Sequence, residues 1–326
     1  MVAVHSTVRG PALGGCRMWS YDDSRAAMRD ALRLSRAMTH KSAVANLPLG
    51  GGKGVIVLPP GARLDARARR DALLDFAETV DRLQGSYITA EDVGTSARDM
   101  TIIAEGTRHV TGLARAQGGS GDPSPSTALG VEAAILATCE RVFGDRSLAG
   151  RSVAVVGLGH VGLRVARLLA RRRAKLVVTD IDRGKRAEAE KLGARWTTPE
   201  KAMTAAVDVL VPCALGGVLD HHSVPGIQAP AIAGAANNQL ADEAIADLLA
   251  ARGILWAPDF VANAGGIINI AVELEPSGYD PARAKERVRG IGDTLRGIYD
   301  DAAAGAMTPL TAAMELARKR LAAASA

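Results

Sequence analysis

"VAVVGLGHVGLRVARLLARRRAKLVVTDID", residues 153–182, decides the fold. The apolar run "SVAVVG" reads as a strand and leads into G-x-G-x-x-G at Gly157, Gly159 and Gly162. From Gly162 the apolar residues recur at helical spacing up to "ARRRAK" (170–175), where cations complement the negative end of the helix dipole. A second apolar run, "AKLVVTD", ends in Asp180. In this order the parts form a dinucleotide site. Gly157 permits the tight turn, Gly159 admits the pyrophosphate to the backbone, and Gly162 allows close helix–strand packing. The helix N-terminus offers free N–H groups and a positive dipole end. Asp180 is placed to accept from the adenosine ribose hydroxyls and disfavours a 2′-phosphate, so NAD is expected ahead of NADP. Arg183 and Lys185 lie near enough in sequence to keep NADP open.

Downstream, "VDVLVP" and "APAIAGAA" are further strand candidates, and upstream "STALGVEAAILATCERVFG" reads as a helix. Strands alternating with helices indicate a parallel sheet covered on both faces. "AQGGSGDPSPSTALG" (116–130) is rich in glycine, serine and proline and marks a linker or hinge. Before it, residues 24–41 show helical spacing after Ser24, a candidate N-cap. "GVIVL" (54–58) reads as a strand stopped by Pro59 and Pro60, 65–83 as a helix, and "SYITAEDVG" (86–94) as strand then loop. The tail, 281–326, is helical.

A chain of 326 residues is long enough for two domains. With 48% hydrophobic and 23% charged residues it has a globular balance, and no apolar run approaches the roughly 20 residues of a membrane span. The net charge of +5 is not gathered into a basic patch, and 3% aromatic residues are too few for base stacking, so neither nucleic acid nor a membrane is expected as partner. Cys16, Cys139 and Cys213 are few and odd in number, which fits a reducing cytoplasm. The adjacent His221 and His222 lack metal-ligand spacing, so no metal is expected.

"NLPLGGGKGVI" (46–56) suggests a phosphate loop but fails as one. A P-loop ending at Lys53 needs glycine where Leu47 stands and a hydroxyl residue where Gly54 stands. Glycines before Lys53 would instead admit a ligand, and apolar neighbours would desolvate the ammonium and lower its pKa toward that of a base. Lys41 ends the preceding helix. If the two lysines lie close, one can hold a carboxylate while the other stays neutral.

At this point six stretches carry a resemblance: "RGPALGGCRMW" (9–19), "RLSRAMTHKSAVANLPLGGGKGVI" (33–56), "YITAEDVGTSARDM" (87–100), "GDPSPSTALGV" (121–131), "AGAANNQLAD" (233–242) and "APDFVANAGGIIN" (257–269). In this order, across almost the whole chain, they resemble the Glu/Leu/Phe/Val amino-acid dehydrogenase family, the leucine and valine branch before phenylalanine dehydrogenase. The resemblance implies an α/β protein of two domains closing over a cleft. Residues 1–125 would form a catalytic domain with a mixed sheet, 126–289 a Rossmann-type doubly wound parallel-sheet domain binding NAD, and helices 290–326 would pack back on the first.

The implied reaction is reversible oxidative deamination of an L-amino acid to the 2-oxo acid and ammonium, without a metal. Carried over by motif, Lys53 is the base that activates water, and Asp92 handles the substrate amino group. Lys41, helped by the backbone at Gly14 and Gly15, binds the α-carboxylate. Asn237 lies near both nicotinamide and substrate. Thr127, Cys213 and Ala214 line the cofactor. The side-chain pocket falls on Leu13, Ala90, Ile267 and Ile270, all aliphatic, which favours a branched or small aliphatic substrate over phenylalanine. A phenylalanine-type enzyme and a catalytically silent dinucleotide-binding protein remain alternatives. A homo-oligomer is expected. The family's usual members carry a few dozen further residues, a helix and a strand, before the segment matching "VAVHSTVRGPALGG", and that part usually supplies oligomer contacts. His40 stands where an apolar or aromatic residue often precedes the carboxylate lysine, and a positive charge on it would depress the pKa of Lys41.

Overall fold

The computed structural model describes residues 1–325. By internal contacts the chain divides into two units, residues 1–123 with 267–281 and 316–326, and residues 124–266 with 282–315.

The first unit opens with strands β1 (Val2–Ser6) and β2 (Ala12–Ser20), helix α1 (Ser24–Val44) and strand β3 (Gly50–Leu58). Helix α2 (Ala66–Asp81), strand β4 (Tyr87–Glu91) and helix α3 (Ala97–Ile103) follow. The sheet is mixed, ordered β1-β3-β2-β4, with β1 antiparallel to β3 and the other neighbours parallel. Alternation divides β2 between two faces. Ala12, Cys16 and Met18 join Leu73, Phe76, Tyr87 and Met100 in the core under α2 and α3. Leu13, Gly15 and Arg17 point the other way, the side on which Val55 of β3 meets Ala27 and Ala31 of α1.

Two local readings change. The cap of α1 is Asp23, whose carboxylate accepts from the Ala26 N–H at 2.6 Å, and not Ser24. Both residue types cap well, so composition alone does not choose between neighbours. Strand β3 begins at Gly50, four residues before the expected 54. Glycine weakens a strand in isolation. Here β1 and β2 flank the glycine run and impose extension.

The second unit starts with helix α4 (Ser124–Phe143), strand β5 (Ser152–Val156), helix α5 (Gly162–Arg171) and strand β6 (Lys175–Thr179). It continues through α6 (Arg186–Glu190), β7 (Arg195–Trp196), α7 (Pro199–Met203), β8 (Val209–Pro212), β9 (Ala231–Ile232), α8 (Ala244–Ala251) and β10 (Leu255–Trp256). All six strands are parallel in the order β10-β9-β8-β5-β6-β7, the doubly wound arrangement expected from "VAVVGLG". Strand order reverses between β5 and β8, which puts a crevice beyond their C-terminal ends.

Helices α9 (Asp259–Ala262), α10 (Gly265–Glu273), α11 (Pro281–Arg289), α12 (Ile291–Ala304) and α13 (Pro309–Ser325) complete the chain. The grouping differs from a tail attached as one piece to the first domain. Residues 282–315 belong with the dinucleotide unit, because α12 lays Ile291, Leu295, Ile298 and Tyr299 inward and the Tyr299 hydroxyl meets Thr138 of α4 at 2.8 Å. The stretch read as a linker from 116 to 130 is already helical from Ser124, so Thr127 sits in the first turn of α4. Among the described residues no helix is long and apolar enough to cross a membrane.

Candidate active site

Lys53 lies in the middle of β3 and is only 4% exposed. Its Nζ donates to Oδ2 of Asp92 at 2.6 Å. Asp92 follows directly on β4, and its backbone N–H is held by the Thr95 hydroxyl at 2.9 Å. Burial drives the Lys53 ammonium below its ordinary pKa, Asp92 opposes that, and Arg17 adds to it. Burial pushes Asp92 the other way, but Lys53 and Arg17 outweigh it and hold the carboxyl below the usual range. A buried lysine with a lowered pKa beside an ionised carboxylate is an arrangement that could exchange a proton.

The sheet register assembles the surroundings. Gly15 pairs with Ala90 on β4, and the pairs Leu13↔Gly51 and Cys16↔Gly54 place it beside Lys53 on β3. Leu13, Gly15, Ala90 and Lys53 therefore share one face. Ile267 and Ile270, three residues apart on α10, are buried as well. Lys41 lies in the last turn of α1, half-buried.

The glycines around Lys53 do other work than expected. A side chain at Gly51 would overlap the Thr39 backbone, at Gly52 it would come within 2.6 Å of the Tyr87 ring, and at Gly54 within 2.5 Å of Phe76. Protein atoms fill the space that was read as room for a ligand. Gly14 and Gly15 are likewise pressed, against Gly52 and against Glu91 with Asp92. The Gly14 carbonyl accepts from the Tyr87 hydroxyl at 2.5 Å. His40 also reads differently, since burial, Arg36, His5 and Arg318 lower its pKa from 6.5 and leave the ring neutral at pH 7. It adds no positive charge beside Lys41.

Arg17 was missed. Its Nε donates to Asp92 Oδ2 at 2.9 Å and its Nη1 to Asp30 at 2.8 Å. The signal was available in "ALGGCRMW", where one cation interrupts a buried strand and must find a partner.

At the crevice Gly157 has φ +100°, which suits glycine, and an added side chain would strike Ala214 at 2.8 Å. Gly162 is packed against the Gly157 carbonyl and Cys213. Above Gly159 there is open space, and the N-cap residue of α5, Val161, makes no side-chain cap. Open space at the glycine and a helix start without a side-chain cap suit a pyrophosphate, so the residues fit the cofactor. Asp180 caps this turn by accepting from the Leu158 N–H at 2.6 Å and pairs with Lys185 at 3.1 Å. Burial raises the Cys213 thiol to about 12, so it is a packing group, not a nucleophile.

Asn237 follows β9, and its Oδ1 accepts from Asn263 Nδ2 at 2.8 Å. Asn263 escaped the sequence reading. It is buried, and its Oδ1 has no hydrogen-bond partner among the described residues. Thr127 is set by backbone packing, for a side chain at Gly265 would come within 3.0 Å of its Cα.

A doubly wound dinucleotide crevice and a separate lysine–carboxylate pair define a nicotinamide-dependent oxidoreductase. Residues 1–109 match the family model "Glu/Leu/Phe/Val dehydrogenase, dimerisation domain" and residues 179–326 "Glutamate/Leucine/Phenylalanine/Valine dehydrogenase". Residues 136–218 match the NAD-binding domain of D-isomer-specific 2-hydroxyacid dehydrogenases. A leucine dehydrogenase of Thermoactinomyces intermedius is 42% identical over 98% of this chain and 86% of its own length. An L-tryptophan dehydrogenase of Nostoc punctiforme is 43% identical over 98% and 89%. A crystal structure of L-tryptophan dehydrogenase from Nostoc punctiforme superimposes with a TM-score of 0.86 at 40% identity, covering 99% of this chain and 92% of that one. The chain belongs to the Glu/Leu/Phe/Val dehydrogenase family.

Proposed function

We propose that the protein catalyses the NAD-dependent, reversible oxidative deamination of an aliphatic, branched-chain L-amino acid to its 2-oxo acid and ammonium. The observation that carries this reading is the buried Lys53 held at 2.6 Å from Asp92, with its pKa lowered by burial. In the oxidative direction Lys41 and the backbone at Gly14 and Gly15 orient the substrate carboxylate. Asp92, kept ionised, accepts a hydrogen bond from the substrate amino group and holds it in place. A bound nicotinamide would supply the hydride acceptor for Cα. Neutral Lys53 then takes a proton from the water that adds to the imino carbon, and ammonia leaves. Asn237, fixed by Asn263, and Thr127 would orient the bound nicotinamide.

Leu13, Ala90, Ile267 and Ile270 are all buried and carry neither charge nor hydrogen-bonding group, which supports an aliphatic side chain. The Thermoactinomyces leucine dehydrogenase supports the same class, whereas the equally similar tryptophan dehydrogenase makes an indole side chain the competing outcome. The carboxylate of Asp180 at the end of β6, with Lys185 already paired to it, supports NAD over NADP, because an acid there would repel a 2′-phosphate. The dimerisation-domain match supports a homo-oligomer, and three free cysteines fit a reducing cytoplasm.

The test is NADH formation near pH 10 across a panel of L-amino acids, with Lys53→Ala as control. Leucine, valine or isoleucine are expected to give the highest kcat/KM, and the control is expected to lose roughly 10³-fold or more, within the range of a positioned acid–base group. Turnover of none of the amino acids defeats the reading. Tryptophan or phenylalanine ahead of the branched-chain substrates defeats the pocket assignment alone.

A further inference from the structure

Asp92 is held by two cations, and only one of them can change its charge. Lys53 Nζ at 2.6 Å and Arg17 Nε at 2.9 Å converge on the same oxygen, Oδ2. Among the described residues no hydrogen bond reaches Oδ1. Arg17 is clamped in turn. Its Nη1 donates to Oδ2 of Asp30 at 2.8 Å, and Asp30 also accepts from the Tyr21 hydroxyl and from Arg33, each at 2.8 Å.

Base chemistry requires Lys53 to give up its proton. At that moment Asp92 loses a counter-ion in a poorly hydrated site, and a carboxylate left alone there takes up a proton itself. The proton would then pass back and forth within the pair, and neither group could act on substrate. A guanidinium does not deprotonate in a protein, so a second cation of this type keeps Asp92 ionised whatever Lys53 does.

We infer that Arg17, anchored by Asp30, is a positioning residue for the reaction: it keeps Asp92 charged, with Oδ1 left for the substrate amine, while Lys53 alternates between its charged and neutral forms. The inference rests on the deamination reading above.

The groups facing this site allow the sign of its pH dependence to be worked out. From β2 comes Arg17, while Cys16 lies close by on the opposite face, its thiol raised to about 12 by burial and so neutral. From the turn before α1 comes Tyr21, raised to about 12 and so protonated. Helix α1 supplies Asp30 and Arg33, β3 supplies Lys53, and the end of β4 supplies Asp92. Across the working range Arg17, Asp30 and Asp92 keep their charge while Lys53 changes its own. Removing Arg17 relieves Lys53 of a repelling cation and leaves it the direct cationic partner of Asp92. Both changes raise the lysine pKa. Deamination needs the neutral lysine, so the ascending limb of its pH profile moves to higher pH.

The experiment is the pH profile of kcat/KM for deamination at saturating NAD, for the wild type and for Arg17→Gln, Arg17→Lys and Asp30→Asn. Arg17→Gln is expected to lose about 10²-fold at the wild-type optimum, the scale of a misplaced reacting group. Its ascending limb is expected to move up by about one pH unit. Asp30→Asn loosens the hold on Arg17 and lowers the rate without moving the limb up, and Arg17→Lys recovers part of the rate because it retains a cation. NADH affinity stays unchanged throughout. If Arg17→Gln does not fold, Arg17→Lys carries the test, its shorter arm weakening the contact with Asp92, with a smaller shift in the same direction expected. Limbs that superimpose on the wild type in every folded variant overturn the inference and leave the activity standing. A wild type that turns over no amino acid removes both.

Discussion

Residues 50–54 and 157–162 are both glycine-rich, and they use glycine for opposite ends. In β3 the missing side chains are replaced by the protein itself, with Thr39 over Gly51, Tyr87 over Gly52 and Phe76 over Gly54. After β5 the turn glycines Gly157 and Gly162 are also packed, but the space above Gly159 is empty. The first stretch is a tightly packed strand that carries one buried lysine. The second is a cradle. What separates them is whether an added carbon meets protein or vacancy, and glycine content does not report that.

The sharpest way to break this contrast is to add the carbon. Gly51→Ala should destabilise the first unit by about 3 kcal/mol, since overpacking against the Thr39 backbone cannot be relieved by rotating a side chain. A melting curve checks it, and a melting temperature equal to the wild type would mean that β3 tolerates the space being filled. Gly159→Ala should leave the melting temperature nearly unchanged yet weaken NADH binding roughly 10-fold, about 1.4 kcal/mol, measured by fluorescence titration. Should it melt early with affinity intact, the two stretches are alike after all. Smaller again is Asp180→Ser, expected to lower the preference for NAD over NADP by roughly 10-fold in kcat/KM, because the repulsion of a 2′-phosphate goes with the carboxylate. The smallest effect is local. Asp23→Ala should cost about 1 kcal/mol as a lost N-cap, while Ser24→Ala is nearly silent.

The dinucleotide unit was largely legible because its signal is local. Strand, turn, helix and Asp180 lie within thirty residues, each with its own periodicity or turn chemistry. The lysine–carboxylate pair was legible only through resemblance, since Lys53 and Asp92 are 39 residues apart and meet because β3 and β4 flank β2. Arg17 lies 75 residues from Asp92 and follows the glycine pair that drew the attention. Its partner cannot be inferred without the sheet order. The glycine half of β3 was hidden for a related reason: tertiary neighbours, not intrinsic propensity, make it extended. Helix α12 has an unmistakable apolar face, yet a pattern shows that a face is buried, not against what.

Gly265 has a consequence for which sequences this molecule can accept. Its Cα side is closed by the Ser126 carbonyl and the Thr127 backbone, so any larger residue there must lift the first turn of α4. A substitution at 265 would therefore register as a displaced Thr127, more than a hundred positions away in the chain. The tolerance of the dinucleotide site to mutation is set in part at a helix start that bears no functional group at all.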